Sequence, residues 1–193
     1  MGSVAGRITS ETPKYTLQKE SDVYEIRKYA KGVAVETIDG PNKDDNDSAF
    51  KALAKYIGVF GEAQNQQKQK ISMTAPVVNR EDGKQVKFMQ FLLPSKYNID
   101  TAPIPQSDSV KLIEVPERVL AVHRFSGVCD DEMAKGKLEV LTEALKRDKI
   151  AFDKDHWRLY RYNPPWTIGS LRTNEVVVPV VGSSSGSPTA KKE

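Results

Sequence analysis

Apolar positions recur along this chain at two periods, and the change from one to the other happens twice. Residues 24–38, YEIRKYAKGVAVETI, read as two short strands joined by a charged turn around Ala30 and Lys31. Residues 111–125, KLIEVPERVLAVHRF, do the same around Pro116 and Glu117. At an offset of 87 positions Ile26 meets Ile113, Val33 meets Leu120, Ala34 meets Ala121, Val35 meets Val122 and Ile38 meets Phe125. A helical period follows each stretch. Phe50, Leu53, Ala54, Ile57 and Phe60 mark the first helix, with Asp47 or Ser48 as its cap. Ala134, Leu138, Leu141 and Leu145 mark the second, with Asp130 or Asp131 as its cap. Further strand pairs come after each helix, at 71–78 with 86–93 and at 157–162 with 175–181. The acidic run DGPNKDDNDS at 39–48 reads as an exposed loop.

A helix with one apolar stripe and strands with apolar faces bury best as helix against sheet. The repeated order therefore predicts an α+β fold: duplicated β-α-β-β units forming a distorted, eight-stranded, antiparallel, barrel-like sheet. Two main helices flank it with pseudo-two-fold symmetry. We expect one domain over residues 13–181, in half-repeats of about 13–99 and 110–181 joined by the proline-containing DTAPIPQSDS. Residues 1–12 and 182–193 are expected to be flexible tails, because a segment such as GSSSGSPTAKKE buries nothing that offsets the entropy of ordering it.

Composition narrows the function classes. Of the 193 residues 38% are hydrophobic and 28% charged, as in a soluble globular protein. The 29 basic and 26 acidic side chains interleave, which argues against nucleic-acid binding, since that calls for a concentrated cationic footprint. Cys129 is the single cysteine, so no internal disulfide forms and a reducing, cytoplasmic setting is expected. No segment approaches the roughly 18 apolar residues of a membrane span, and a monomer is expected. The nucleophile elbow, the Walker loop, the dinucleotide fingerprint and the zinc-protease helix motif are all missing. We assign no catalytic residue and no metal cluster.

Three places carry candidate chemistry. At about 100° per residue, Ala54 and Gly58 lie at the margin of the first helix's apolar face, with Lys51 and Lys55 just beyond. Small residues beside two ammonium groups leave room for a flat apolar body with anionic substituents; lysines snorkelling at the edge of a buried face give the same letters. Pro76 cannot donate to a ladder, so KISMTAPVV meets an irregular strand end, where Met73 either fills core or faces a ligand. Pro164 and Pro165 stiffen the loop at 163–170, and Trp166 on it is either a core plug or a ligand wall.

Six pieces occur in an order that resembles the SOUL haem-binding protein family: YEIRKY (24–29), AFKALAKYI (49–57), ISMTAPV (71–77), FLLP (91–94), RFSG (124–127) and YNPPWTIGSLRTNEV (162–176). The resemblance implies a duplicated fold of the kind inferred above and reversible binding of haem or another porphyrin in a shallow hydrophobic groove. That groove lies beside the first helix and a loop near the C-terminal end, with basic groups pairing to the propionates. Carried onto this chain, it consists of Lys51, Ala54, Lys55, Gly58 and Val59 on the helix and Trp166 and Thr167 on the loop. Two departures stand out: Thr167 occupies a place where some relatives have lysine, and GEAQNQQKQK at 61–70 is longer than in the vertebrate haem-binding type. The propionate partner must then be Lys51, Lys55 or Arg172. His123, His156, Cys129 and the tyrosines are the axial-ligand candidates, and nothing in the sequence selects among them.

Three functions compete at this point: a non-catalytic tetrapyrrole carrier or buffer, a protein-interaction or stress-regulatory module with incidental tetrapyrrole affinity, and a tetrapyrrole-modifying enzyme. The first asks least of the residues, because no side chain is marked for attack on a macrocycle.

Overall fold

Asp130 starts the second helix as its sequence suggests. Its carboxylate accepts from the Met133 amide at 2.8 Å, and Asp131 and Glu132 occupy the positive first turn. This is α2 (Asp131–Arg147) of a computed structural model that describes residues 8–39, 43–81 and 86–182. The other helix is α1 (Lys43–Ile57). The strands are β1 (Tyr15–Glu20), β2 (Glu25–Tyr29), β3 (Gly32–Asp39), β4 (Val77–Glu81), β5 (Lys87–Leu92), β6 (Lys111–Val115), β7 (Arg118–Ser126), β8 (Arg158–Arg161) and β9 (Thr173–Pro179).

All nine strands join one antiparallel sheet in the order β1-β2-β7-β9-β8-β4-β5-β3-β6. Leaving β1 aside, the row splits into β2-β7-β9-β8 and β4-β5-β3-β6. Exchanging the two sequence halves maps one group onto the other in reverse, so the pseudo-two-fold axis runs between β8 and β4. The halves interlock: β2 pairs with β7 and β3 with β6, each strand leaving its sequence neighbour for a partner in the other half.

Two apolar layers lie beneath the helices. Under α2, Leu138, Leu141 and Leu145 pack on Val119, Ala121, Val176 and Val178. Under α1, Leu53, Ala54 and Ile57 pack on Val33, Val35, Met89 and Phe91. Burying a leucine such as Leu53, Leu141 or Leu145 contributes about 1.5–3 kcal/mol. The intervening strand residues face the other way, and Tyr29, Val78, Leu120, Val122, Tyr160 and Val177 form a third cluster there. Side chains on that face reach across whole strands. Arg27 on β2 contacts Glu175 on β9 over β7, and Arg80 on β4 contacts Glu36 on β3 over β5. The sheet is thus curled into a half-barrel, with the helices on its convex face.

The structure corrects several expectations. The described residues form nine strands instead of eight. β1 is exposed along its whole length, and its single alternating apolar pair, Tyr15 and Leu17, is too short a pattern to reveal it. α1 starts at Lys43, so the stretch at 43–48 is helical instead of looped, and Asp47 and Ser48 lie inside the helix and do not cap it. Asp39, read as part of that loop, is buried at the end of β3. Residues 71–76 precede β4 without joining it; this segment has a cis Ala75–Pro76 bond and an isolated bridge from Thr74 to Glu11. The expectations for residues 1–7 and 183–193 lie outside the described residues.

Candidate functional site

Gly58 ends α1 in the left-handed conformation, at φ 83°. Its amide donates to Lys55 O at 3.1 Å and the Val59 amide donates to Ala54 O at 2.9 Å, the paired bonds of a Schellman cap. A Cβ at Gly58 would stand 3.0 Å from Ala63 Cβ, so both the backbone and the space require glycine. The cap turns the chain outward and leaves Val59 and Phe60 exposed. Along the helix, Lys51 and Lys55 are exposed one turn apart, and neither forms an ion pair among the described residues. Ala54, between them in sequence, is fully buried against the sheet. Met73 is half-buried and packs on the same core as α1.

The Pro-Pro loop is a second, self-braced group. The Thr167 amide donates to Pro164 O at 3.0 Å, and the Arg172 guanidinium donates to Thr167 O through Nε at 2.9 Å and to Pro165 O through Nη2. Asn163 Oδ1 accepts from the Thr173 amide at 2.7 Å, and Asn174 Nδ2 donates to Gly127 O at 2.9 Å, tying the loop to the end of β7. A single 3₁₀ turn at Gly169–Leu171 completes it, with Gly169 against the Val128 side chain. Thr167 points inward, buried, its Oγ1 without a hydrogen-bond partner. Trp166 is 77% exposed, which excludes the core-plug role. Val128, Ile168 and Leu171 are exposed as well.

The structure therefore gathers the sequence-predicted residues into two groups: Lys51, Ala54, Lys55, Gly58, Val59 and Met73 about α1, and Trp166, Thr167 and Arg172 in the loop. No hydrogen bond or ion pair joins the groups among the described residues. Sequence reasoning missed Val128, Ile168 and Leu171, although apolar letters beside glycines in a proline-anchored loop are a usable signal. It also missed where Glu175 points. Glu175 lies on the concave face and accepts from Arg27 at 2.9 Å and Tyr162 at 2.7 Å.

Exposed Lys51 and Lys55 could meet the carboxylates of a tetrapyrrole, and exposed Val59 and Phe60 its face. An axial bond to iron fits less well. His123 holds Val23 O at 2.6 Å through Nδ1, stacks on Phe125, and has its buried Nε2 unpartnered on the face toward α2. His156 is exposed and bound to Asp153 at 2.6 Å. Burial pushes the Cys129 thiol up, and its Sγ donates to Asp130 O at 3.5 Å, so it is no ready thiolate ligand or nucleophile. No histidine or cysteine belongs to α1 or to the loop at 163–172.

Solved structures share this fold at low identity. A hydrolase from Listeria innocua superposes with a TM-score of 0.58 at 9% identity, covering 84% of this chain and 94% of its own. An uncharacterized conserved protein from Listeria innocua gives 0.59 at 9%, covering 82% and 92%. The EcmrR C-terminal domain gives 0.58 at 9%, covering 86% and 97%. At such identities the likeness is one of fold alone. No curated protein matches the sequence. The family model described as SOUL heme-binding protein matches residues 10–179, from before β1 to the end of β9, and the chain belongs to that family.

Proposed function

We propose that this protein binds haem or a related tetrapyrrole reversibly on its convex surface, as a carrier or buffer that performs no chemistry on it. The proposed contacts are Lys51, Lys55 and Val59 at the α1 end and Trp166 with its apolar neighbours on the Pro-Pro loop. Ala54 and Gly58 shape the helix that presents the lysines, and Met73 and Thr167 support the site from beneath. The observation that carries this reading is the exposure of Trp166: a large apolar side chain, 77% exposed, on a loop braced by its own hydrogen bonds. Holding such a surface ready lowers the ordering cost of binding. Covering about 300 Å² of apolar ligand surface contributes about 7 kcal/mol before immobilisation costs, and charged contacts bring the total toward micromolar affinity. The lone Cys129 and the interleaved charge suit a cytoplasmic setting, and no described helix is long and apolar enough to cross a membrane.

Titrating haem into the purified protein while following the Soret band tests the reading, and saturable binding is expected. Absence of a saturable change up to about 50 µM overturns it. Because no histidine or cysteine belongs to α1 or to the loop at 163–172, metal-free protoporphyrin is expected to bind within about fivefold of haem.

A further inference from the structure

We propose that the concave side of the half-barrel holds a second site, one for a small organic carboxylate with an apolar body. It goes beyond the tetrapyrrole reading and uses different residues. A cavity of about 300 Å³ opens where the N-terminal strap crosses the strand ends. The strap is fixed there: Glu11 O accepts from the Ala75 amide at 2.9 Å, and Glu11 Oε1 accepts from the Ser95 amide at 2.8 Å. Tyr29, Val33, Leu92, Leu93 and Val115 supply apolar wall.

Three cations line this cavity, Lys14, Lys31 and Arg118, against one carboxylate, Glu11, which is already engaged with Ser95. Arg118 is the least satisfied of them. Its Nη2 reaches the Tyr160 hydroxyl at 3.3 Å and its Nη1 reaches Pro116 O at 3.4 Å, both long for hydrogen bonds. Its Nε is buried with no partner, and no carboxylate pairs with it among the described residues. A half-buried guanidinium held by two long bonds to neutral oxygens and by the Tyr29 ring, 5.6 Å from its centre, still gains from a carboxylate, whose two oxygens match its planar fork.

The rest of the concave face points to the same ligand charge. Arg80 stands directly opposite Arg158 on neighbouring strands, an unfavourable like-charge pairing in which Glu36 is hydrogen-bonded to Arg80 and relieves Arg158 by its charge alone. Burial holds the Arg158 guanidinium below its ordinary value, and the charges of Arg118 and Arg80 add to the effect. An anion beside Arg118 offsets this excess. A monoanion suits the cavity better than a phosphate dianion, because Arg118 is the one guanidinium in its wall and Glu11 stands nearby. The volume lies at the lower end of the roughly 300–1,000 Å³ range of small-molecule sites, which limits the ligand to a compact body.

Octanoate and its neutral counterpart octanol are the probes, followed by calorimetry, with circular dichroism to confirm that each variant is folded. Octanoate is expected to saturate the wild-type protein. Arg118→Gln should weaken octanoate at least about tenfold and octanol less than about twofold. Val115→Trp, which fills the cavity, should abolish both and leave the Soret titration with haem unchanged. Should Arg118→Gln fail to fold, Lys31→Glu in the exposed turn decides, and it should weaken octanoate alone by about threefold or more. The site is overturned if wild type shows no saturation up to about 5 mM octanoate. It is equally overturned if a folded Arg118→Gln loses both probes alike, if Lys31→Glu changes neither, or if haem displaces octanoate.

Discussion

The guanidinium of Arg27 meets the carboxylate of Glu175 at 2.9 Å, with both side chains buried on the concave face. The pair sits in a network: Arg27 also binds Glu25 at 2.6 Å and the Tyr29 hydroxyl at 3.2 Å, and Tyr162 binds the second Glu175 oxygen at 2.7 Å. Burial alone lowers the Arg27 guanidinium's affinity for its proton, but the hydrogen bond to Glu25 and the charge on Glu175 outweigh it and raise Arg27 above the usual arginine range. Burial pushes the Tyr29 and Tyr162 hydroxyls up, so both stay protonated at neutral pH, Tyr29 accepting from Arg27 and Tyr162 donating to Glu175.

Removing Arg27 leaves the Glu175 carboxylate buried with no opposite charge, and removing Glu175 leaves the buried Arg27 with only the partly exposed Glu25. Arg27→Met or Glu175→Leu should each destabilise the fold by about 3–5 kcal/mol, whereas the double variant should recover much of that loss. Urea unfolding of all four proteins measures the coupling. A single-variant cost below about 1 kcal/mol would mean that water reaches the pair and screens it.

Glu11 gives the strap a pH dependence of known sign. The Ser95 amide holds its carboxyl below the ordinary value of 4.5, with Lys14 and Lys96 assisting. A depressed carboxyl stabilises fully above the unfolded value and loses its contribution as pH falls through the folded one. The Ser95 amide should therefore stay protected from hydrogen exchange near neutrality and lose protection only below about pH 4.5. Glu11→Gln should remove the pH dependence of that protection; an unchanged profile would place its cause in another group.

The parts of the fold legible in the sequence are those where burial writes a period. α2 is capped by Asp130 and striped with leucine, and the Val33-Ala34-Val35 and Leu120-Ala121-Val122 strands carry the repeat. β1 left little trace, because an edge strand with six exposed residues buries no face and alternates only at Tyr15 and Leu17. The start of α1 was hidden for the opposite reason, since the cap-forming letters at Asp44, Asp45 and Asp47 are taken up inside the helix. Arg27 and Glu175 are 148 positions apart, and only the interlocked pairing of β2, β7 and β9 brings them together. At the candidate site the stiffness of the Pro-Pro mount could be read from residue types. The exposure of Trp166 could not, because a tryptophan after two prolines fits a core plug as well as a ligand wall.

Trp166 separates those two roles energetically. An exposed side chain contributes little to stability, so Trp166→Ala should shift unfolding by no more than about 0.5 kcal/mol. As a ligand wall it should weaken haem by about 1–3 kcal/mol, the range for losing an aromatic contact at a binding surface. Thermal unfolding and a Soret titration on one preparation measure both. A folded variant with unchanged haem affinity would remove Trp166 from the site.

Arg172 tests how the loop is held. Its guanidinium donates to Thr167 O and Pro165 O, the two carbonyls on either side of Trp166, so its charge is already engaged within the loop. Arg172→Gln should free those carbonyls and loosen the mount. Because a loosened mount affects every ligand that lies on Trp166, haem and its dimethyl ester should lose affinity equally, by about threefold to tenfold. Lys51→Gln combined with Lys55→Gln should behave differently: in the proposed site these lysines, without an ion pair among the described residues, meet the carboxylates, so haem should weaken while the ester is nearly unaffected. Titrating both ligands against all three proteins settles the assignment. A loss confined to haem in Arg172→Gln would mean that the guanidinium leaves its carbonyls for a propionate, and the propionate contact would then move from the helix to the loop.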